Sequence, residues 1–185
     1  MSSLTNTFRT LFGYLSTLIT RFTPLDLSKR SLDGIFNFFP ISESIITSGQ
    51  PTEVQLRLVR DAGYQNVINL APHEAENALV DEAGTLASLG VEYTHIPVDF
   101  ARPTEEDFGR FCEAMERIGA GPVLVHCAAN MRVSAFLFRY RRDVLGEDPE
   151  DLRKDLNRIW EPFGVWKSFI EPRSDSSWTK APSNE

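Results

Sequence analysis

Apolar residues occur along this chain in two patterns, short unbroken runs and longer stretches with an apolar position every three or four residues. Unbroken runs of this length predict buried strands, and helical spacing predicts amphipathic helices. The runs lie at 35–41, 44–48, 67–70, 91–98 and 122–126. Helical spacing is found at 51–63, 74–89, 104–119, 131–142 and 149–159. This alternation predicts an α/β domain with a central, mostly parallel sheet of four to five strands and helices on both faces.

The N-terminal segment has a different character, and we treat residues 1–33 as a separate leader. Seven apolar residues recur there at helical spacing: Phe8, Leu11, Phe12, Leu15, Leu18, Ile19 and Phe22. Four basic residues against one acidic residue give residues 1–30 a charge of +3. The apolar positions are too interrupted to span a bilayer. The segment is therefore predicted either to contact a membrane surface or a partner through residues 4–22, to be a presequence of the mitochondrial type, or to pack on its own domain.

Composition limits the remaining choices of fold and partner. The 185 residues suffice for one domain, which we place at 34–172, followed by a polar tail at 173–185 that is predicted to be disordered. The net charge of −7 argues against nucleic acid as a partner. The chain has two cysteines, Cys112 and Cys127, so no disulfide framework is expected. A reducing compartment, the cytoplasm, is the predicted location.

The segment 122–134 combines a buried strand, a cysteine and the start of a helix. Cys127 lies where the strand gives way to the helix, and the first amides of a helix have no intrahelical partners. These amides and the nearby Arg132 guanidinium favour the thiolate, which makes Cys127 a candidate nucleophile. Arg132 can also hold two oxygens of a phosphoryl group. The other candidate substrate-binding residues are Ala128, Ala129, Asn130, Met131, Val133 and Ser134.

These residues resemble the signature of cysteine-dependent protein tyrosine and dual-specificity phosphatases. The chain is more similar still to a bacterial phosphatase-like family related to the domain fused to beta-lactamase-like hydrolases. Beyond the cysteine loop, the resemblance rests on 46–52, 67–70, 93–98 and 159–162. It implies a protein tyrosine phosphatase-like fold and hydrolysis of a phosphorylated protein or small phosphomonoester through a cysteinyl-phosphate. It also implies that neither a metal nor an organic cofactor is required.

The resemblance places the general acid on a loop upstream of the cysteine, and Asp99 is the predicted residue. Asp99 follows the predicted strand at 91–98 and precedes Cys127 by 28 residues. The competing carboxylates are Glu105, Glu106 and Asp107, and the remaining alternative is that the site has no dedicated acid. Thr104 and Asp107 have the spacing of a capping box, and acidic residues in a first helical turn are explained by the helix dipole.

Three further residues near the cysteine or on the helix before it have two readings each. His126 is predicted either to shape the loop or to be an ordinary core histidine. Ser134 either donates a hydrogen bond to the sulfur or is only a first-turn helix residue. Cys112 falls on an apolar helical stripe and is predicted to be a buried structural thiol rather than a second nucleophile. His73 and His95 have no partner at metal-ligand spacing, so no metal site is assigned.

The loop departs from the tyrosine phosphatase pattern in two ways. Four residues separate Cys127 from Arg132, where tyrosine phosphatases have five, and four is the spacing typical of rhodanese-type sulfurtransferases. The usual loop glycine is absent, so Asn130 is predicted to adopt the left-handed conformation. A rhodanese-like sulfurtransferase and an inactive phosphate-binding domain are therefore the alternative functions. The arginines that follow, Arg139, Arg141 and Arg142, are predicted either to form a solvated basic face or to border the site.

Overall fold

In the computed structural model, a five-stranded sheet forms the middle of the protein. The structure describes residues 3–20 and 31–172, and for residues 3, 4 and 16–20 it describes the backbone only. The strands are β1 (Phe39–Pro40), β2 (Ile45–Ser48), β3 (Asn66–Asn69), β4 (Glu92–His95) and β5 (Val123–His126). Their order in the sheet is β1-β2-β5-β3-β4. β1 is antiparallel to β2, and every other pair is parallel. The mostly parallel sheet is confirmed. The predicted tail at 173–185 lies outside the described residues.

Helices cover both faces of this sheet, as predicted. They are α1 (Ser3–Thr20), α2 (Glu53–Asp61), α3 (Glu82–Ser88), α4 (Glu105–Ile118), α5 (Met131–Asp143), α6 (Pro149–Ile159) and α7 (Val165–Phe169). The capping box of α4 is confirmed, with Thr104 accepting from the Asp107 amide and Asp107 accepting from the Thr104 amide. A second capping box, formed by Thr52 and Gln55, starts α2. These caps satisfy amides that a helix leaves unpaired at its first turn.

The sheet separates two apolar cores. One core lies under α2 and α3 and includes Leu56, Leu86 and Leu124. The larger core lies under α4, α5 and α7 and is dominated by aromatic rings, among them those of Phe108, Phe111, Phe136, Trp166 and Phe169. β5 is central and buried on both faces, since all four of its residues are buried. Full burial of one such side chain contributes about 2 kcal/mol, so the position of the residue that follows β5 is firmly fixed.

The prediction of a helix over 74–89 is wrong in its first half. Residues 72–78 form turns, with the amides of Ala75 and Ala78 donating to the carbonyls of Pro72 and Ala75. The helix begins only at Glu82, because the Asp81 side chain caps it by accepting from the Gly84 amide at 2.8 Å. The alanine and glutamate content favours a helix locally, but tertiary contacts of this segment decide its conformation.

The arginines after the cysteine loop neither form a solvated basic face nor border the site, so both predicted alternatives are wrong. Arg139 is fully buried, makes two 2.9 Å hydrogen bonds to Glu105 and lies between the rings of Phe108 and Phe169. Arg141 pairs with Glu147 and Asp155. Arg142 pairs with Asp143.

These arginines therefore form structural ion pairs: those of Arg139 and Arg141 link α5 to other segments, and that of Arg142 lies within α5. Glu105 is likewise committed to Arg139, and this contact removes it from the candidate acids.

The leader helix α1 packs on the C-terminal end of α6. Thr10 is buried and donates to the Ile159 carbonyl at 2.5 Å, while Asn6 donates to the Asn157 carbonyl at 2.8 Å. In the other direction, the Glu161 amide donates to Thr7 Oγ1 at 2.7 Å. The contacts satisfy the last carbonyls of α6, which have no intrahelical partners. Among the described residues, no helix combines the length and apolar character needed to cross a membrane.

Candidate active site

Cys127 follows the last residue of β5 and lies at the middle of the sheet's carboxyl edge. Its amide donates to the Ser48 carbonyl at the end of β2, and its side chain is fully buried. The helix α5 begins four residues later at Met131. Parallel α/β sheets bind ligands at the carboxyl ends of their strands. The structure thus confirms the predicted order of strand, cysteine loop and helix.

Asn130 adopts the left-handed conformation that the sequence predicts, with φ 65° and ψ 3°. Its side chain is fully buried and donates to the Asn37 carbonyl at 2.8 Å and to Thr47 Oγ1 at 2.9 Å. Asparagine tolerates this region better than most residues do. Its two donated hydrogen bonds therefore tie the turn of the loop to the segment around β1 and β2.

The carbonyl groups of the loop are held by side chains from other parts of the chain. Asn77 Nδ2 donates to the Ala128 carbonyl at 2.9 Å, and Asn37 Nδ2 donates to the Ala129 carbonyl at 3.1 Å. Because a trans peptide directs its C=O and N–H in opposite directions, the amides of Ala129 and Asn130 point away from these partners. These contacts fix the orientation of the two peptide groups without help from a ligand.

Gly49 provides the close approach that the loop itself, lacking glycine, does not. A Cβ atom at this position would lie 3.0 Å from the Ala128 carbonyl oxygen and 2.9 Å from a ring carbon of Phe36. Both neighbours are packed, so even alanine would push the cysteine loop away from β2.

Arg132 lies in the first turn of α5, and it lines the same cavity as Cys127. Its guanidinium carbon is 5.2 Å from the centre of the Phe100 ring. Within 3–20 and 31–172, its buried Nε has no hydrogen-bond partner. A buried, unpaired guanidinium N–H is costly, and an anion at this position would satisfy it.

The cavity above the loop has a volume of about 430 Å³. The polar part of its lining is formed by the cysteine loop and two carboxylates: Cys127, Ala128, Ala129, Arg132, Glu74 and Glu76. Its apolar wall comprises Leu11, Tyr14, Pro72, Ala75, Phe100 and Met131. Burial raises the pKa of Tyr14, and the charge of Glu76 raises it further, while Arg132 opposes both. The charges of Glu76 and Arg132 thus act on the hydroxyl of Tyr14, which belongs to α1 and lines the same cavity.

Asp99 follows β4 at the same edge of the sheet, but its side chain is 56% exposed and lies outside the set of described residues that line the cavity. Asp99 Oδ1 accepts from the Ala101 amide at 2.9 Å, and Oδ2 is 4.0 Å from Arg102 Nη2. The next residue, Phe100, does line the cavity. Asp99 thus directly precedes a cavity residue in the chain but does not itself line the cavity.

The other predicted residues divide between the site and its support. Met131 lines the cavity, whereas Val133 is buried in the core and can offer only its backbone. Ser134 Oγ donates to the Met131 carbonyl at 3.0 Å and accepts from Trp160 Nε1 at 3.1 Å, so its proton is not directed at the thiol. Cys112 is buried, as predicted, and burial raises the pKa of its thiol to about 12.

A buried polar cluster around His126 was missed by the sequence reasoning. His126 is fully buried, and its Nε2 lies 3.1 Å from Glu82 Oε1. Glu82 also accepts from Asn69 at 2.7 Å, from Gln50 at 2.9 Å and from the Tyr93 hydroxyl at 3.0 Å. The carboxylate thus anchors the strand end that carries Cys127. The predicted helix over 74–89 put Glu82 among solvated residues, so no sequence signal marked it.

The Glu82 carboxylate is expected to make stability depend on pH. Burial alone would raise its pKa, but the charge of His126 and the donated hydrogen bonds lower it from 4.5 to about 2. A carboxylate whose pKa is lower in the folded protein than in the unfolded protein stabilises the fold at pH values above its unfolded pKa. This contribution disappears as the pH falls from about 4.5 to about 2. The shift corresponds to about 3 kcal/mol at neutral pH. Glu82→Gln should therefore lose about that much stability at pH 7 and little at pH 2.

Urea unfolding of wild type and variant at the two pH values measures this difference. Glu92→Gln, at an exposed glutamate of β4, is the matched control and should match wild type. Equal losses for Glu82→Gln at pH 7 and pH 2 would contradict the charged state of Glu82 in the folded protein.

Metal ligands do not cluster in the part of the chain that the structure describes, where no group of three or more His, Cys, Asp or Glu side chains could hold an ion. His95 Nε2 lies 2.7 Å from the Ala71 carbonyl, and its ring is 3.9 Å from that of His73. Burial lowers the pKa of His95. These two histidines support the turn after β3.

The sheet, the cysteine at its carboxyl edge and the arginine beside it define a cysteine-dependent phosphatase of the tyrosine and dual-specificity class. Residues 16–159 match the family described as a dual-specificity and protein tyrosine phosphatase fused to NAD+ kinase, and the chain belongs to that family. The sulfurtransferase alternative is therefore set aside. No match is found among curated proteins.

One similar solved structure supports the same class, and two others share the fold. A DUF442 phosphatase from Shewanella putrefaciens CN-32 is 33% identical, with a TM-score of 0.68 over 75% of this chain and 91% of that chain. The core catalytic domain of the PP-IP phosphatase SIW14 from S. cerevisiae is 16% identical, with a TM-score of 0.65 over 77% and 88%. TpbA of P. aeruginosa, solved in complex with pTyr, is 16% identical, with a TM-score of 0.54 over 73% and 88%. The last two support the fold alone.

Proposed function

We propose that Cys127 hydrolyses phosphomonoesters through a cysteinyl-phosphate. The thiolate attacks phosphorus, the S–P bond forms, and the bond from phosphorus to the leaving oxygen breaks. Water then gives a proton to the carboxylate that protonated the leaving oxygen and attacks the phosphorus, and the S–P bond breaks to release inorganic phosphate and restore the thiolate. The observation that carries the proposal is the buried thiol beside an unpaired Arg132 guanidinium N–H in a common cavity.

The loop is suited to the charge that develops during this transfer. The proposed donors to the transferred group are amides from Ala128 to Val133, and the carbonyls of Ala128 and Ala129 are already held by Asn77 and Asn37. Donors that are fixed before the reaction need no reorganisation when charge moves to the equatorial oxygens. Arg132 supplies the planar pair of donors for two of these oxygens.

The direct test is to trap the intermediate. Wild-type protein turning over para-nitrophenyl phosphate is quenched in acid, digested and examined by mass spectrometry. We expect one added phosphoryl group on the peptide that contains Cys127, and none on the peptide that contains Cys112. The Cys112 peptide is an internal control, because that thiol is buried outside the cavity with its pKa raised to about 12. Turnover with a label on neither peptide would reject the covalent mechanism.

We propose Asp99 as the acid that protonates the leaving oxygen. It directly precedes Phe100, which lines the cavity, and its carboxylate is held by one amide and a 4.0 Å contact with an arginine that is 83% exposed. These contacts leave the carboxylate free to turn toward a bound substrate. Apo geometry of this kind is compatible with acid catalysis that is completed in the substrate complex. Glu76 is the alternative, because it lines the cavity.

Leaving-group dependence distinguishes the two carboxylates. Asp99→Asn is expected to lower kcat by about 100-fold for phenyl phosphate but much less for a substrate whose leaving group needs no proton. The measurement is kcat for a series of aryl phosphates, with Glu76→Gln as the matched control. A steeper dependence on leaving-group pKa in Glu76→Gln than in Asp99→Asn would transfer the role to Glu76.

A further inference from the structure

Helix α1 presents its apolar side to solvent, which is the reverse of a normal surface helix. Four apolar residues of α1 at helical spacing form a stripe, and their exposed fractions are 78% for Phe8, 43% for Leu11, 75% for Phe12 and 57% for Leu15. The side that contacts the body of the protein is polar and includes Thr7 and Thr10, both buried. A surface helix of a soluble domain usually faces its apolar stripe inward. The α1 stripe therefore lacks an apolar cover within the described chain.

The α1 stripe continues into the active-site cavity. Leu11 belongs to both, and Tyr14 of the same helix lines the cavity near Cys127 and Arg132. The remaining wall adds the apolar side chains of Pro72 and Phe100. An apolar surface thus leads from the outside of α1 to the phosphate-binding loop. A substrate that carries apolar groups could keep contact with it while its phosphate reaches the thiol.

Charge separates this end of the chain from the rest. Residues 1–30 carry +3, so the other 155 residues carry −10. Arg9, at the border of the α1 stripe, is exposed and donates to the Arg158 carbonyl. A helix with an exposed apolar stripe and flanking positive charge fits an anionic bilayer surface, which attracts nearby basic residues. A second copy of this chain, with its net charge of −7, is a poorer match.

We propose that the α1 stripe binds the surface of an anionic lipid bilayer and that the substrate is a phosphomonoester lipid presented there, an assignment that rests on the proposed phosphatase activity. Binding through the stripe places the cavity, which shares Leu11 with it, at the membrane interface. The acyl chains of the lipid stay in the bilayer while its headgroup phosphate enters the cavity. Arg132 and the loop amides then hold the phosphate next to Cys127.

Membrane binding is tested without turnover, in the Cys127→Ser background. The protein is sedimented with vesicles of phosphatidylcholine and phosphatidylglycerol, or of phosphatidylcholine alone. We expect sedimentation with the anionic vesicles, weakened about tenfold or more by the double change Phe8→Asp and Phe12→Asp. The control carries Val54→Asp and Leu145→Asp, at exposed apolar positions outside α1, and should bind like its parent. Equal binding by all three proteins, or binding by none, would overturn the proposal.

Substrate class is tested with active protein. Phosphate release from phosphatidic acid in those vesicles should exceed release from glycerol 3-phosphate by about tenfold or more, and Phe8→Asp with Phe12→Asp should abolish the excess. The same double variant should keep its rate on para-nitrophenyl phosphate, so loss of lipid turnover alone contradicts only the membrane assignment. Absence of para-nitrophenyl phosphate turnover in wild type would instead contradict the proposed function. If wild type is a dimer in sedimentation velocity and the double variant is a monomer, the α1 stripe binds a second copy of the chain. This result would overturn the lipid proposal.

Discussion

Cys127→Ser is expected to lower kcat for para-nitrophenyl phosphate by about 10⁴-fold or more. A serine hydroxyl is far less acidic than a cysteine thiol, and the field of the loop that favours a thiolate cannot ionise it at neutral pH. It therefore stays protonated and is a poor nucleophile at neutral pH. The change is nearly isosteric, so the loop that Asn37, Asn77 and Asn130 hold should keep its shape.

The matched control for this variant is Cys112→Ser. Cys112 is buried on α4 and belongs to the large core, so this change should cost stability but leave kcat nearly unchanged. Both kcat values are measured with the same substrate, and inorganic phosphate is titrated as an inhibitor or ligand. Cys127→Ser should still bind phosphate, because its cradle is intact. Turnover within tenfold of wild type would show that another group performs the chemistry.

Arg132→Lys is expected to lower kcat/KM by about 100- to 1,000-fold although the charge is preserved. A lysine ammonium is a point charge and cannot give two parallel hydrogen bonds to the equatorial oxygens of the phosphoryl group. It would also lose the contact of the guanidinium with the Phe100 ring, which is 5.2 Å away. Because the two hydrogen bonds to the equatorial oxygens strengthen as charge develops on those oxygens, kcat should fall more than the affinity for phosphate does.

The matched control is Arg102→Lys, because Arg102 is 83% exposed and lies 4.0 Å from Asp99. That variant should remain within about twofold of wild type, as surface ion pairs contribute little. Steady-state kinetics of both variants and inhibition by inorganic phosphate provide the comparison. An Arg132→Lys enzyme with near-normal kcat/KM would mean that charge alone is needed and that the planar fork has no role.

Local features of the site were accessible from the sequence because they depend on neighbours in the chain. The strand before Cys127, the helix after it and the left-handed Asn130 all follow from residues within a short window. The partners of the loop were not accessible, since Asn37 and Asn77 lie 92 and 51 residues away from the carbonyls they hold. Their contacts exist only once the sheet has formed.

Segments with strong local propensity misled the prediction where tertiary contacts outweigh it. The sequence around Asn77 predicts a helix, but the structure has turns there, and from these turns the Asn77 side chain reaches the Ala128 carbonyl. The same error hid Glu82 and the carboxylates of the cavity. For α1 the periodicity was informative, but periodicity cannot tell which face of a helix meets the protein. The structure places the polar face there.

The position of Leu11 and Tyr14 has a consequence for how substrate preference can diverge in this family. Both residues line the cavity, yet both precede residues 16–159, which match the family. The reactive loop belongs to the matched segment, whereas part of the wall that a substrate meets is formed by α1 residues that precede it. Replacing Leu11 and Tyr14 is therefore expected to alter which phosphorylated substrates are accepted while the phosphoryl-transfer machinery stays the same.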